Sequence, residues 1–208
     1  MRQLIAIIDK ASSVLLDNPS MFNYVRYLLA GKQSRMKHFI KAYLDKYQCK
    51  SVLDLCSGTG DFAGLTPPNA SYVGWDLNKD FVNFAGKRYS GEKKKTFEVV
   101  DILTQNGRRH KKYDAVLLIS AVHHFSDEEL EIILPLVQKM VKKVVIIADI
   151  IPDPPHALQR FFASIDRGKF VRPAREKIRI LKRHFKVINT EAIPTRSAVQ
   201  LGIICRKK

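Results

Sequence analysis

The segment Val52–Ala63 reads VLDLCSGTGDFA and carries the strongest structural signal in this sequence. Its first four residues are apolar apart from Asp54, which is typical of a buried strand. A loop with two glycines, Gly58 and Gly60, follows directly. Glycine has no Cβ, so it permits a sharp turn and lets a ligand approach the backbone closely. The segment therefore predicts a strand that runs into a ligand-binding loop, with a short helix over 61–65.

Short apolar runs alternate with amphipathic stretches on the C-terminal side of this segment. The pattern predicts strands over 51–56, 71–76, 96–101, 113–120 and 143–150, with helices over 79–89 and 127–141. Strands that alternate with helices imply parallel crossovers, so we expect an open, mostly parallel α/β sheet. Two further strands, over 185–193 and 198–206, follow each other without a helix. They predict an antiparallel C-terminal hairpin that closes one edge of the sheet.

The chain of 208 residues suits a single domain. Apolar residues recur at helical spacing up to Asn18 and again over 21–47, with a break at Gly31, which predicts an N-terminal helical cap over 1–47. The core that binds the ligand is expected over 48–150. Helices over 155–167 and 173–184 predict a helical substrate lid over 151–184, and the closing hairpin occupies 185–208.

Three aspartates, Asp54, Asp76 and Asp101, lie at or near the ends of three successive predicted strands. An unpaired buried carboxylate is costly, so Asp54 requires a bound cation or amide and hydroxyl donors. Asp76 could accept both hydroxyls of a ribose, and Asp101 could accept an amino hydrogen of adenine, with Leu77 and Ile102 against the ring. A single aspartate at a strand end is often a turn or cap residue. Three in register at the edge where such sheets bind ligands predict an adenosine site.

These residues resemble those of the class I S-adenosylmethionine-dependent methyltransferases. The stretch 53–61 is similar to the first motif of that family, especially in its ubiquinone and menaquinone C-methyltransferases, with Cys56 in place of the first glycine. Asp76 and Asp101 match the family's ribose-binding and adenine-proximal acids, and the segment 113–125 resembles the small-molecule branch. The resemblance implies a Rossmann-like methyltransferase sheet, S-adenosyl-L-methionine as cofactor and in-line methyl transfer. The expected cofactor-binding residues are Asp54, Cys56, Gly58, Thr59, Gly60, Asp76, Leu77, Asp101, Ile102 and Ser120.

Two adjacent histidines in the loop after the fourth strand, His123 and His124, are the candidate catalytic residues. Histidine suits general-base work because its ordinary pKa is about 6.5. Neighbouring residues face different ways, so we expect at most one to reach the acceptor; alternatively, one packs under the cofactor and the other caps the next helix. Arg172 is a candidate to bind a carboxylate or phosphate of the substrate, or else to stabilise a helix–helix corner. Tyr24 and Arg26 are expected to close over the cofactor.

The chain is strongly basic, with 36 lysines and arginines against 20 acidic residues and a formal net charge of +16. This balance favours an anionic partner, or reflects no more than a solvated cationic surface. The leading hypothesis is a methyltransferase that acts on a small-molecule or lipid-like metabolite, including anionic ones. An RNA methyltransferase that uses the basic surface is the second hypothesis, and it ranks below the first because the sequence contains no recognisable RNA-binding module. An NAD-dependent oxidoreductase is disfavoured because Asp54 would repel a pyrophosphate, and a cofactor-binding scaffold without turnover stays open.

The three cysteines, Cys49, Cys56 and Cys205, lie far apart and have no metal-ligand spacing, so we predict no metal site. Their small number indicates a reducing compartment. No apolar run approaches the roughly 18 residues of a membrane span. The apolar stretch over 4–8 is too short for a signal peptide, so the expected location is the cytoplasm.

Overall fold

The computed structural model describes residues 18–31, 33–152, 169–196 and 198–208. Within these ranges the strands are β1 (Ser51–Leu55), β2 (Ser71–Asp76), β3 (Lys95–Val99), β4 (Tyr113–Ile119), β5 (Val141–Ile150), β6 (Phe185–Pro194) and β7 (Val199–Lys207). The α-helices of the same ranges are α1 (Pro19–Ala30), α2 (Ser34–Lys46), α3 (Lys79–Arg88), α4 (Asp127–Met140) and α5 (Ala174–His184).

The strands form one sheet in the order β3-β2-β1-β4-β5-β7-β6. The first five strands in that order are mutually parallel. β7 pairs antiparallel with both β5 and β6. The prediction of a mostly parallel sheet with an antiparallel C-terminal hairpin is therefore confirmed. Because the strand order reverses between β1 and β4, a crevice is expected where these two strands end, at the edge we name the carboxyl edge.

Helices cover both faces of the sheet and bury its two apolar surfaces. On one face, α2 contributes Met36, Phe39, Ile40 and Leu44 to a cluster with Val52 and Leu117. On the other face, the apolar sides of α4 and α5 join a second cluster with β4, β5 and β7. α4 is well defined at its start because Ser126 and Glu129 form a reciprocal capping box. The glycine loop after β1 therefore follows a strand of a sheet that is packed on both faces.

The break expected at Gly31 is confirmed, because the pattern over 21–47 is divided into α1 and α2, and Gly31 ends α1 with φ of 67°, a value that glycine adopts without strain. The segment after the glycine loop differs from the prediction. The helix expected over 61–65 is a 3-10 turn at Ala63–Leu65. The helices predicted before Asn18 and over 155–167 lie outside the described residues. None of the helices in the described part of the chain has the length and apolar character that crossing a bilayer requires.

Candidate functional site

The glycine loop between β1 and the 3-10 turn adopts the left-handed backbone conformation at three positions. Cys56, Gly58 and Gly60 have φ of 59°, 53° and 75°. A Cβ at Gly60 would lie 2.9 Å from the Phe97 ring, so this position requires glycine for space as well as for conformation. At Gly58 a Cβ would meet no heavy atom within 4 Å. The loop therefore presents open space above Gly58. Burial raises the pKa of the neighbouring Cys56 thiol, so this thiol stays protonated.

Asp76 links this loop to the end of β2. The Gly58 N–H donates to Asp76 Oδ2 at 2.7 Å, and the Asn78 N–H donates to Oδ1 at 2.9 Å. Burial raises the pKa of Asp76, while these backbone donors oppose the rise. Each carboxylate oxygen has two lone pairs, so both can still accept a hydroxyl hydrogen.

Asp54 is buried beneath the same loop, with 1% of its surface exposed. The Tyr72 hydroxyl donates to its Oδ2 at 2.5 Å. Burial raises the pKa of Asp54 to about 7, although the hydrogen bond from Tyr72 lowers it. The sequence required a cation or a polar donor for this carboxylate, and the structure supplies the donor from the neighbouring strand.

The expected adenine-side residues follow β2 and β3 at the carboxyl edge. Leu77 is 69% exposed directly after Asp76, whereas Ile102 is buried. Asp101 accepts a hydrogen bond from the Leu103 N–H at 3.0 Å, which caps a short 3-10 helix. The structure brings these residues to the same edge as the glycine loop, because the parallel strands that carry them end there.

Helix α1 is fastened to the glycine loop by polar contacts. Asn23 Oδ1 accepts from Thr59 Oγ1 at 2.8 Å and from Arg26 at 3.0 Å. Arg26 also forms an ion pair with Asp61, as does Arg88 at 2.9 Å. Burial, and then the charge of Arg88, lowers the pKa of Arg26 to about 10. Arg26 thus lies beside the loop but binds Asp61.

A buried polar cluster lies at the carboxyl edge, beyond β4 and beside the end of β5. His123 Nδ1 lies 2.5 Å from Asp149 Oδ1, and Lys177 of α5 donates to Asp149 Oδ2 and to the carbonyl of Ile150. All three side chains are buried. Burial alone would raise the pKa of Asp149, but the hydrogen bond from His123 and the charges of His123 and Lys177 outweigh it, so this pKa lies below its ordinary value. Asp149 is therefore ionised, and His123 Nδ1 is the donor.

Sequence reasoning found His123 and missed both of its partners in this cluster. An acid inside an otherwise apolar strand was the signal for Asp54, and Asp149 near the end of β5 carries the same signal. Nothing in the pattern of α5 marked Lys177 as buried, because a lysine at that spacing normally faces solvent.

The remaining predicted residues lie around this cluster. His124 is exposed, with its ring centroid 4.2 Å from that of His123. Ser120 has φ of 52° and accepts from Gln200 of β7 at 3.2 Å. Tyr24 is 59% exposed on α1.

Arg172 is buried between the segment before α5 and the start of α4. Its guanidinium donates to Asp127 and to the carbonyls of Phe125 and Phe170. The Phe170 N–H in turn donates to the carbonyl of His123 at 3.0 Å. These contacts are those of a structural corner, and they brace the loop that carries His123.

Comparison with known proteins agrees with this geometry. Residues 52–144 match a family model described as a methyltransferase domain. A search of curated proteins found no match. Among solved structures, the fold is similar to magnesium protoporphyrin IX methyltransferase (ChlM) from Synechocystis PCC 6803 with bound SAH, at 17% identity and a TM-score of 0.69, over 95% of this chain and 100% of that chain.

Two further crystal structures have the same fold. The PH0226 protein from Pyrococcus horikoshii OT3 gives 20% identity and a TM-score of 0.68 over 86% of this chain and 92% of that one. The N-methyltransferase NodS from Bradyrhizobium japonicum WM9 gives 12% identity and a TM-score of 0.67 over 85% of this chain and 97% of that one. The matched segment 52–144 contains the glycine loop, Asp76 and the strand that precedes His123. This segment is therefore similar to a methyltransferase domain, and the chain shares its fold with these three solved structures.

Proposed function

We propose that this protein methylates a small-molecule or lipid-like acceptor and that His123 is the general base of the reaction. The observation that carries the proposal is the buried cluster of His123, Asp149 and Lys177 at the carboxyl edge of the sheet. This cluster lies one loop beyond β4, the strand that pairs with β1 of the cofactor loop. A base in this position would face the place where an acceptor meets the transferable methyl group.

The residues of the glycine loop fit the adenosine part of the cofactor. The open space above Gly58 would be filled by a Cβ at that position, so the backbone can be approached closely there. Asp76 would accept the ribose hydroxyls, Asp101 would accept from the adenine amino group, and exposed Leu77 would cover one face of the ring. When bound, S-adenosyl-L-methionine supplies a methyl group on a sulfonium, which is already a good leaving group.

The work of the chain itself is then to orient the acceptor and to remove its proton. In the neutral form of the His123 ring, Nδ1–H would donate to Asp149, so Nε2 would be the ring nitrogen that takes the proton. The ionised Asp149 stabilises the imidazolium that results, and Lys177 keeps that carboxylate ionised and fixed. Holding the acceptor nucleophile in line with the methyl group contributes up to about 7–11 kcal/mol in favourable cases.

The charge of the carboxyl edge supports a small acceptor over an RNA. Asp54, Asp76, Asp101 and Asp149 all lie near the ends of strands at this edge. Asp76 and Asp101 would repel a polyphosphate backbone that binds over the site. Asp54, whose pKa burial raises to about 7, and Asp149, which is paired with Lys177, add little to that repulsion. Magnesium protoporphyrin IX methyltransferase, whose fold this chain resembles, is named for a small-molecule acceptor.

The proposal is tested by calorimetry with S-adenosyl-L-methionine, followed by a metabolite panel that monitors release of the demethylated cofactor. With an acceptor in hand, His123→Ala should lower kcat by about 10²- to 10⁴-fold and leave cofactor affinity unchanged. His124→Ala is the matched control and should retain far more activity, because the His124 side chain is exposed whereas His123 is buried against Asp149. Full activity in His123→Ala would refute the proposal that His123 is the general base. Methylation of RNA, with no methylation of any metabolite, would refute the proposal of a small-molecule acceptor.

A further inference from the structure

The edge of the sheet opposite the cofactor site is lined by lysines and arginines. Parallel strands all begin at this edge, which we name the amino edge, and the antiparallel β7 ends there. The exposed basic residues at these strand ends are Lys50, Lys93, Lys94, Lys111, Lys112, Lys139, Lys142, Arg183, Lys186, Arg206, Lys207 and Lys208.

Contacts between neighbouring strands make this row continuous. The Tyr72 N–H donates to the carbonyl of Lys94, and the Ser71 N–H donates to the carbonyl of Lys50, which joins the starts of β3, β2 and β1. The Lys50 N–H donates to Asp114 of β4 at 2.7 Å. Lys143 of β5 reaches back to the carbonyls before β1. The starts of the five parallel strands thus form a single surface.

The row continues along the hairpin to the outermost strand. Val145 of β5 pairs with Cys205 of β7, so the last residues of β7 lie beside the start of β5. Lys207 pairs with Phe185 at the start of β6, and Lys208 donates to the carbonyl of Arg183 at 2.7 Å. Seven strands about 4.8 Å apart give the amino edge a length of about 29 Å.

Few carboxylates offset this charge, and those nearby are already paired. Asp114, which is buried, faces Lys142 and Lys143 at 3.9 and 3.5 Å. Glu92 pairs with Lys95, and Glu131 pairs with Arg183. The aspartates of the site lie at the far edge, so in the described part of the chain the cations of the amino edge are offset by carboxylates only in part.

We propose that the amino edge is a docking surface for the phosphate backbone of a nucleic acid, bound without base recognition. Lysines act as point charges for phosphates, and no element at this edge is shaped to enter a groove. An anionic membrane is less suitable, because Ile188 is the single large apolar side chain that is exposed near these strand ends in the described ranges, and one such side chain provides little area to insert into a bilayer. The bound nucleic acid is a tether and not the methyl acceptor, since the cofactor loop faces the other way. The proposal is independent of the proposed methylation.

The test measures anisotropy of a labelled RNA duplex of about 20 base pairs over a salt series, with the full chain. Affinity should fall steeply with salt, with each neutralised phosphate contributing a slope of about −0.9 in log affinity against log salt. Lys112→Glu/Lys207→Glu should weaken binding about tenfold or more and reduce the slope by about two. The control is Arg35→Glu/Arg196→Glu, which changes the net charge by the same amount on exposed residues near the end of β6, at the carboxyl edge. The RNA affinity of this control should stay within about twofold of that of the wild type.

Three results would overturn this inference. Equal losses in both double variants would mean diffuse attraction by net charge. Binding to vesicles rich in phosphatidylserine together with no binding to RNA would assign the surface to membranes. Binding that is insensitive to salt would exclude a phosphate contact. Calorimetry with S-adenosyl-L-methionine on the same samples keeps the outcome separate from the methylation proposal, because neither double variant touches the glycine loop.

Discussion

Replacing Asp149 by asparagine should damage stability and turnover by two separable routes. Asp149 is fully buried between His123 and Lys177. Asparagine preserves the shape of the side chain but removes its negative charge, so the Lys177 ammonium stays buried after losing the carboxylate. Breaking a buried ion pair from one side costs about 3–5 kcal/mol. We expect Asp149→Asn to lower the free energy of unfolding by that amount.

A second substitution separates the ion pair from the catalytic role. Lys177→Met removes the ammonium and fills its space with an apolar side chain of similar length. Exchanging a complete buried ion pair for apolar or neutral groups is often close to neutral. Asp149→Asn/Lys177→Met should therefore recover most of the lost stability. His123 still lacks its carboxylate in the double variant, so kcat should stay about 10²- to 10⁴-fold below wild type.

Urea unfolding of the four proteins, with release of the demethylated cofactor as the activity assay, completes this cycle. The pKa of Asp149 lies below its ordinary value in the folded protein. Its stabilising contribution is therefore present above about pH 4 and is lost as the pH falls through the folded-state pKa, a loss that Asp149→Asn should not show. The reasoning is refuted if Asp149→Asn costs less than about 1 kcal/mol, if the double variant is no more stable than Asp149→Asn, or if kcat is unchanged.

Three further predictions concern the loop and the corner. Burial raises the pKa of Asp54 to about 7, so the free energy of unfolding should decline as the pH rises from about 4 to about 7, and urea melts of Asp54→Asn should lack that decline. Gly58→Ala should lower the free energy of unfolding by about 1–2 kcal/mol because of its positive φ, and it should weaken cofactor binding in calorimetry. Gly60→Ala should lose more stability because its methyl group would meet Phe97, and equal losses in the two variants would contradict the open space above Gly58. Arg172→Lys keeps the charge but loses the planar fork, so kcat should fall with cofactor affinity unchanged, and wild-type kcat would show that the corner does not brace His123.

The sheet could be predicted from the sequence because each strand carries its own local signal. β1, β4 and β5 are nearly continuous apolar runs, which is the pattern of parallel strands buried on both faces. The two strands after α5 follow each other directly, and this alone predicted the hairpin. Helix ends were less accurate, as over 61–65, where the chain forms a 3-10 turn at Ala63–Leu65, because such ends depend on single backbone conformations that periodicity does not report.

The acceptor side of the site could not be predicted to the same depth. Along α5 and directly after it, the structure buries the apolar residues Leu181 and Phe185 and packs Ala174 and Ile178 against the core, as their helical spacing predicts, but it also buries Lys177. The apolar spacing gives no sign that this lysine faces inward. The ionised Asp149 opposite this helix favours the register that brings a lysine inward, and that carboxylate lies 28 residues away in sequence.

The two halves of the site therefore differ in how the chain builds them. The cofactor side is local, because one loop and the end of the next strand supply Gly58 and Asp76, which are 18 residues apart. The acceptor side joins separate segments, since Ser120 contacts Gln200 over 80 residues and His123 contacts Asp149 over 26. The proposed cofactor contacts come from one short stretch of sequence, so they can be retained while other segments vary. The proposed acceptor contacts come from several distant segments, so a change in any one of them can alter the acceptor side. Substitutions that change acceptor choice are thus expected on β7, α5 and the loop after β4, and those that abolish methyl transfer altogether are expected in the glycine loop.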